Sequence, residues 1–263
     1  MKRLLRENRI LKVIKEGKVA LGCGALTLSP SVIEVIGLAG LDFVWIDLEH
    51  IGISPYDSFN MENILRTADS VNISTLVRIP YCDEHMIGKL LDAGVNAILI
   101  SGVKTREEVE KLVRASKFDP PNKSTIRGSG VGRAMGWSPI TKDFVKFSDK
   151  ETMAGIMLEK KEAIDRLDDL LSVKGLGFTF IGPTDLSVSL GVPYERTHKK
   201  VEEYIKKAKE KCEAKGIIVG RAVSNVDGLK QAIKEGYKLI RVGMDLEILL
   251  KELKNMVNIA HTL

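Results

Sequence analysis

Aromatic residues are scarce in this sequence, with two tryptophans, five tyrosines and seven phenylalanines among 263 positions. Core volume must therefore come from valine, isoleucine and leucine, which favours strands covered by helices over a β-sandwich. Cysteines number three, Cys23, Cys82 and Cys212, far apart and without C-x-x-C spacing. That excludes a disulfide framework and a thiolate zinc site and leaves three reduced thiols. Charge of one sign never accumulates. The net charge of +5 arises from intermixed Lys, Arg, Glu and Asp, so nucleic acid is not an expected partner. Long hydrophobic runs are also missing. None is long enough to span a bilayer, and the basic start "MKRLLRENRILKVIKEGK" contains no apolar signal-peptide core. A soluble cytoplasmic protein with no membrane partner is the expectation.

What is present is a rhythm of short buried run, turn and amphipathic stretch. Strands are expected at 19–28, 42–50, 74–80, 97–103, 154–159, 178–182, 216–223 and 239–245. Helices follow each: one opened by Ser29-Pro30, then 55–70 led by Pro55, 83–93, and one opened by a Thr105/Glu108 capping box. Further on come 160–173, a short Pro183-led helix with a long one near 198–215, 225–235 and 246–260. Residues 118–150, rich in proline and glycine, interrupt the rhythm, and loops of that length are usually functional or disordered. Eight strand–helix units in about 250 residues predict an α/β protein, a (β/α)8 TIM barrel. An amphipathic segment at about 4–16 adds an extra N-terminal helix, and no linker divides 1–263, so a single domain is expected.

Active sites of such barrels lie at the C-terminal ends of the strands. There the sequence places Asp47, Glu49 and His50 ("DFVWIDLEH"), Arg78 ("LVRIP"), Glu159 ("MLEKKE") and Asp185 ("FIGPTDLS"). Two-residue alternation sends Asp47, Glu49, Arg78 and Glu159 inward if Val44, Ile46, Leu48, Val77, Ile79, Ile156 and Leu158 face the helices. Singly, each has an ordinary explanation: an exposed histidine, a rim ion pair, an acid favoured in a helix's first turn, an N-cap. Jointly they converge on one polar site. Glu159 and Asp185 suit a hard divalent cation, and Arg78 suits a carboxylate or developing oxyanion. His50, tuned by Asp47, suits proton transfer near neutral pH. Together these suit forming an enolate. His85 and His198 sit in helical or surface contexts and read as structural.

These motifs, with "RGSGVGRAMG" and above all "FIGPTDLSVSLG", resemble the HpcH/HpaI aldolases, metal-dependent class II pyruvate aldolases, nearly end to end. The resemblance implies a carbon–carbon lyase cleaving a 4-hydroxy-2-oxo acid to pyruvate and an aldehyde. It implies His50 with Asp47 as the acid/base pair, Arg78 on the pyruvyl oxygen, and Glu159 and Asp185 holding Mg²⁺, Mn²⁺ or Co²⁺. Backbone at Gly182 and Thr184 would contact the substrate carboxylate, and Glu49 would hydrogen-bond water on the metal. A homohexamer exchanging its last helix between neighbours is also implied, and the final stretch carries an apolar stripe at Leu246, Leu249, Leu250, Leu253 and Met256–Val257. The alternative for that stripe is that it covers its own barrel. The chain departs from the family at Met157, often Gln, at Ser101-Gly102, often Pro-Met, and at Thr184, commonly Ala or Asn; these leave the substrate open. The aldehyde end of the pocket is expected from loops, including 118–150 and a neighbour's residues. A CoA-thioester lyase of the citrate-lyase β type and a non-catalytic binding barrel stay as alternatives.

Overall fold

The computed structural model describes residues 4–51, 54, 56–121 and 124–262. Its eight strands pair in chain order and close into a barrel, all neighbours parallel. They are β1 Ala20–Gly24, β2 Phe43–Asp47, β3 Ser74–Ile79, β4 Ala97–Ile100, β5 Met153–Leu158, β6 Phe178–Ile181, β7 Ile218–Ala222 and β8 Leu239–Met244. The helices are α1 Arg9–Lys15, α2 Pro30–Leu38, α3 Ser58–Ser70, α4 Glu84–Ala93, α5 Arg106–Ser116, α6 Lys142–Glu151, α7 Lys161–Asp165, α8 Leu167–Leu170, α9 Pro183–Ser189, α10 Lys199–Ala214, α11 Val226–Lys234 and α12 Asp245–Thr262.

Local chemistry explains the boundaries. Asp57 and Asp83 cap α3 and α4 by accepting from the N–H groups of Asn60 and Met86. The Thr105/Glu108 capping box opens α5 as expected. Pro55 lies outside the described residues, and α3 starts at Ser58. The segment 160–173 breaks at Arg166 into α7 and α8. The interrupted stretch 118–150 hides a helix, α6, which buries Phe144, Ser148 and Glu151 at helical spacing behind a Thr141 cap. The N-terminal helix is shorter than its amphipathic pattern, starting at Arg9 on an Asn8 cap.

Side chains alternate as a fully covered parallel barrel requires. Phe43, Trp45, Leu76, Leu99, Met157, Phe178 and Phe180 fill the interior. Val44, Ile46, Val77, Ile79, Ile156 and Leu158 pack outward against the helices, as the sequence pattern predicts. Interior rings are admitted by missing side chains: a Cβ at Gly22, Gly155 or Gly220 would overlap Phe43, Phe178 or Phe180. Helix α1 stoppers the end where strands begin. Ile10 joins the interior cluster, the Arg9 Nε–H donates to Asp42 Oδ1 at 2.8 Å, and the Asn8 N–H donates to Glu151 Oε2 at 2.8 Å. The opposite end is the mouth.

Two peripheral segments matter for function. Residues 124–141 pack against the stoppered end: Ala134 O accepts from the N–H groups of Leu4 and Leu5. Buried Arg133 binds Asp69 and Ala93 O at the ends of α3 and α4, and Arg127 binds Ser116 O and Ser148 Oγ. The expectation that this loop lines its own barrel's pocket is therefore corrected, because two buried arginines hold it at the other end. Helix α12 buries none of its residues; Leu249, Leu253 and Val257 are 51–55% exposed. Its apolar stripe does not cover its own barrel.

Candidate active site at the barrel mouth

The inward phase of the strands continues to their C-terminal ends, and there it changes from apolar to charged. Asp47, Arg78 and Glu159 are 2%, 7% and 5% exposed. Asp47 and Arg78 stand opposite one another across the β2–β3 pair and form a two-pronged ion pair, Arg78 Nε–H donating to Asp47 Oδ1 at 3.1 Å and Nη2–H to Oδ2. Asp47 Oδ1 also accepts from the N–H groups of Glu49 and His50, at 2.9 and 3.3 Å. Burial alone would raise the Asp47 carboxyl; the Arg78 bonds and these two N–H groups outweigh it and hold it below the usual carboxylate range.

Glu49 gathers the neighbouring strand ends. Its Oε2 accepts from Ser101 Oγ at 2.8 Å and pairs with Arg78 Nη1 at 3.0 Å and His50 Nε2 at 3.7 Å. The imidazole therefore has Glu49, at 3.7 Å, as its acidic neighbour; Asp47 meets His50 at its backbone N–H. The His50 side chain is 65% exposed at the rim, where it can reach a bound substrate.

Glu159 is the anomaly. Its Oε1 accepts from the Gly102 N–H at 2.8 Å, which the left-handed turn at Gly102, φ 66°, presents. Among the described residues no lysine or arginine pairs with it. Burial, then the charges of Glu49 and Asp185, push its carboxyl up. A buried carboxylate with acidic neighbours and no cation is costly. The donors are oxygens only, the set a hard divalent cation prefers. Among the described residues no three His, Cys, Asp or Glu side chains form a ready metal cage. Glu159 and Asp185 can thus supply two ligands, with solvent and substrate oxygens supplying the rest. Gly182 borders the same place, since a Cβ there would come within 3.3 Å of Glu159 Oε2. Its own N–H is bonded to Leu158 O and Pro183 has none, which leaves the N–H groups of Thr184 and Asp185 at the start of α9 to face an anion.

The sequence reading missed four contributors. Ser101 and Gly102, noted only as departures, supply the bonds to Glu49 and Glu159. Trp45 and Arg241 face inward, and the Arg241 Cζ lies 5.0 Å from the Trp45 ring centroid. The alternation test that found Arg78 in β3 would have found Arg241 in β8.

The HpcH/HpaI aldolase/citrate lyase family model matches residues 24–251. A hydroxypyruvate/pyruvate aldolase from Roseobacter denitrificans is 31% identical over 250 residues, covering 95% of each chain. A 2-keto-3-deoxy-L-rhamnonate aldolase from Escherichia coli is 27% identical, covering 92% of this chain and 88% of its own. The fold matches the crystal structure of an HpcH/HpaI aldolase from Desulfitobacterium hafniense with a TM-score of 0.88, 24% identity and 98% of each chain covered.

The depressed Asp47 carboxyl has a consequence for acid stability. A folded-state value below the unfolded one, about 3.9, contributes stability that is complete above that value and is lost as pH falls through the folded one. Asp47→Asn is expected to cost about 1.5–3 kcal/mol at neutral pH, because Arg78 loses its two-pronged partner and keeps only Glu49. It should also flatten the fall in stability below about pH 4. Urea unfolding across a pH series measures both.

Proposed function

The chain belongs to the HpcH/HpaI aldolase/citrate lyase family, and we propose on that premise that it is a metal-dependent class II aldolase. The reaction is cleavage of a 4-hydroxy-2-oxo acid to pyruvate and an aldehyde. The observation that carries this reading is Glu159, a buried carboxylate that faces Asp185 and Glu49 without a cationic partner beside a buried guanidinium at the same mouth. A barrel that only bound ligands would gain nothing by keeping that unneutralised charge, and no feature at the mouth favours a CoA thioester.

Glu159 and Asp185 would hold the divalent ion, Mg²⁺, Mn²⁺ or Co²⁺. When bound, the ion supplies Lewis-acid polarisation of the 2-oxo group. His50, at the rim beside Glu49, removes the proton of the 4-hydroxyl. The C3–C4 bond then breaks, the aldehyde leaves, and its electron pair passes through C2 to the oxygen as pyruvate enolate. Arg78, fixed by Asp47 and Glu49, lies where its remaining donor capacity can meet that oxygen. A proton returned to C3 completes pyruvate. The N–H of Thr184 is suited to the carboxylate, and Gly182 keeps the approach clear of a side chain. Three separated free thiols, Cys23, Cys82 and Cys212, agree with a cytoplasmic setting. The bare apolar face of α12 is suited to a second copy of the chain, in a hexamer that exchanges this helix.

A panel of 4-hydroxy-2-oxo acids should release pyruvate only with added Mg²⁺, Mn²⁺ or Co²⁺, and chelation should abolish it. Glu159→Gln should lose Mn²⁺ binding by calorimetry while keeping its fold by circular dichroism. Pyruvate release indifferent to chelator would sink the metal assignment.

His50→Ala should slow cleavage by about 10²–10⁴-fold. Arg78→Ala should slow both cleavage and exchange of pyruvate's methyl protons by on the order of 10²–10³-fold, since both pass through the enolate. Arg78→Lys should restore only part of the loss. Wild-type proton exchange in Arg78→Ala, followed by NMR in deuterated water, would contradict the role given to Arg78.

Sedimentation should show an assembly larger than a monomer, and Leu249→Glu with Leu253→Glu should dissociate it. A monomeric parent protein would refute the assignment of α12.

A further inference from the structure

One charge at the mouth, partly buried and with its Nε fully enclosed, takes no part in the proposed cleavage. Arg241 projects inward from β8, whose register places it beside Gly22 of β1 and Ala222 of β7. The next residues form a β-bulge, where two residues of β8 stand against Cys23 alone, with Gly243 at φ 104°. The bulge turns Met244 inward, onto the space that a side chain at Gly24 would occupy. Arg241 is thereby left as the last inward polar side chain of β8. Its guanidinium covers one region of the Trp45 indole, 5.0 Å from the ring centroid, and that of Arg78 lies 5.7 Å from the same centroid. The charged groups that act on it, Arg78, Glu247 and Asp47, place the guanidinium toward the mouth rather than the stoppered end.

Arg78 has two carboxylates, but Arg241 has none in salt-bridge contact among the described residues. Its Nε is buried and finds no hydrogen-bond acceptor there, and neither does Trp45 Nε1. Two buried donors thus sit within one packed group without an acceptor, where native interiors leave few such atoms. Burial and then the nearby Arg78 charge push the Arg241 guanidinium below its ordinary range, a cost that an arriving anion relieves. Phe180, tilted at 58° against Trp45 with ring centroids 4.8 Å apart, keeps the indole from turning away. A structural arginine would be expected to have its carboxylate, as Arg133 has Asp69 and Arg127 has Asp92.

The position in the ring says which end of the substrate is met. In the closed order β8 lies across from β4, and the turn after β4 is the one that binds Glu49 and Glu159 through Ser101 and Gly102. On the proposed reading, the 2-oxo acid end belongs with Arg78, Glu159 and Asp185. A substrate spanning the mouth turns its other end, beyond the bond that breaks, toward β8. We propose that Arg241, supported by Trp45, binds a carboxylate on the aldehyde portion of the substrate, so that the acceptor is itself an anionic aldehyde acid. A planar guanidinium above an aromatic face matches a carboxylate in two-pronged geometry. Orientation by this second anchor would place the 4-hydroxyl toward His50.

This assignment rests on the aldolase reading, and the test separates the two. The metal-loaded full-length enzyme is assayed in the condensing direction with pyruvate and either glyoxylate, which carries the carboxylate, or glycolaldehyde, which does not. The ratio of kcat/KM for glyoxylate over glycolaldehyde should fall by on the order of 10–10²-fold in Arg241→Met, the usual loss for a hydrogen bond to a charged group. In Arg241→Lys it should fall less. In parallel, succinate is titrated into metal-free protein carrying Trp137→Phe, with Trp45 fluorescence as the signal. A saturable change is expected, weakened at least tenfold by Arg241→Met. An unchanged acceptor ratio, or equal succinate affinity in parent and variant, or no response in the parent, overturns the proposal. A clear difference in succinate binding without aldol activity on any acceptor counts against the aldolase reading alone.

Discussion

The arrangement at the mouth depends on the fork between Asp47 and Arg78. An aspartate and an arginine at the ends of neighbouring strands would each be expensive to bury alone. Facing one another in register, they are nearly inaccessible and still charged. The fork fixes more than itself. Asp47 holds the backbone turn at Glu49 and His50, and this turn brings Glu49 back over Arg78 and within reach of Ser101. Removing Arg78 would leave Asp47 as an uncompensated buried charge, a loss of about 3–5 kcal/mol; removing Asp47 would leave Arg78 with Glu49 alone and would release the loop that carries His50. Stability and the placement of the proton-transfer group are thus tied to one contact.

The barrel below makes that contact rigid. Its interior is filled by rings seated against glycines, Phe43 on Gly22, Phe178 on Gly155 and Phe180 on Gly220. Ile10 closes the far end. With one end stoppered and the middle solid, polar groups can collect only where the strands stop. The outer shell of branched aliphatics supports the same outcome, because it fixes the phase of every strand and a one-residue slip would turn Asp47, Arg78 and Glu159 into the helix layer.

That phase is why so much was legible in the sequence. Val44-x-Ile46 and Val77-x-Ile79 announce their outward faces, so Asp47 and Arg78 had to point inward, and they do. The eight strands were legible for the same reason, since continuous runs of branched residues bounded by turns leave little choice. Tertiary contacts were not legible. Nothing local marks Ser101 as the partner of Glu49, because that pairing joins the ends of different strands, and side-chain direction in the turn after β2, which sets Glu49 rather than Asp47 beside the His50 imidazole, is not encoded by strand alternation. Helix α6 was obscured by the proline- and glycine-rich stretch before it, although Phe144, Ser148 and Glu151 already stood at helical spacing. The position of residues 124–141 was not legible, because it depends on Arg127 and Arg133 being buried anchors, which nothing in the local sequence marks.

The finished mouth is electrically divided. Glu159, Asp185 and Glu49 form an acidic side around the ends of β2, β5 and β6, while Arg78 and Arg241 flank the Trp45 indole toward β3 and β8. Each side is incomplete in the opposite sense: among the described residues Glu159 and Asp185 have no cation in salt-bridge contact and Arg241 has no anion. A divalent ion alone would settle the first and leave the second. A substrate with carboxylates at both ends, bound together with the ion, settles both, because one end can share the ion with Glu159 and Asp185 while the other reaches Arg241. The charge pattern therefore argues for joint occupation, in which ion and acidic substrate each lower the cost of holding the other, and in which a neutral acceptor leaves the Arg241 guanidinium uncompensated at the moment the carbon–carbon bond is made or broken.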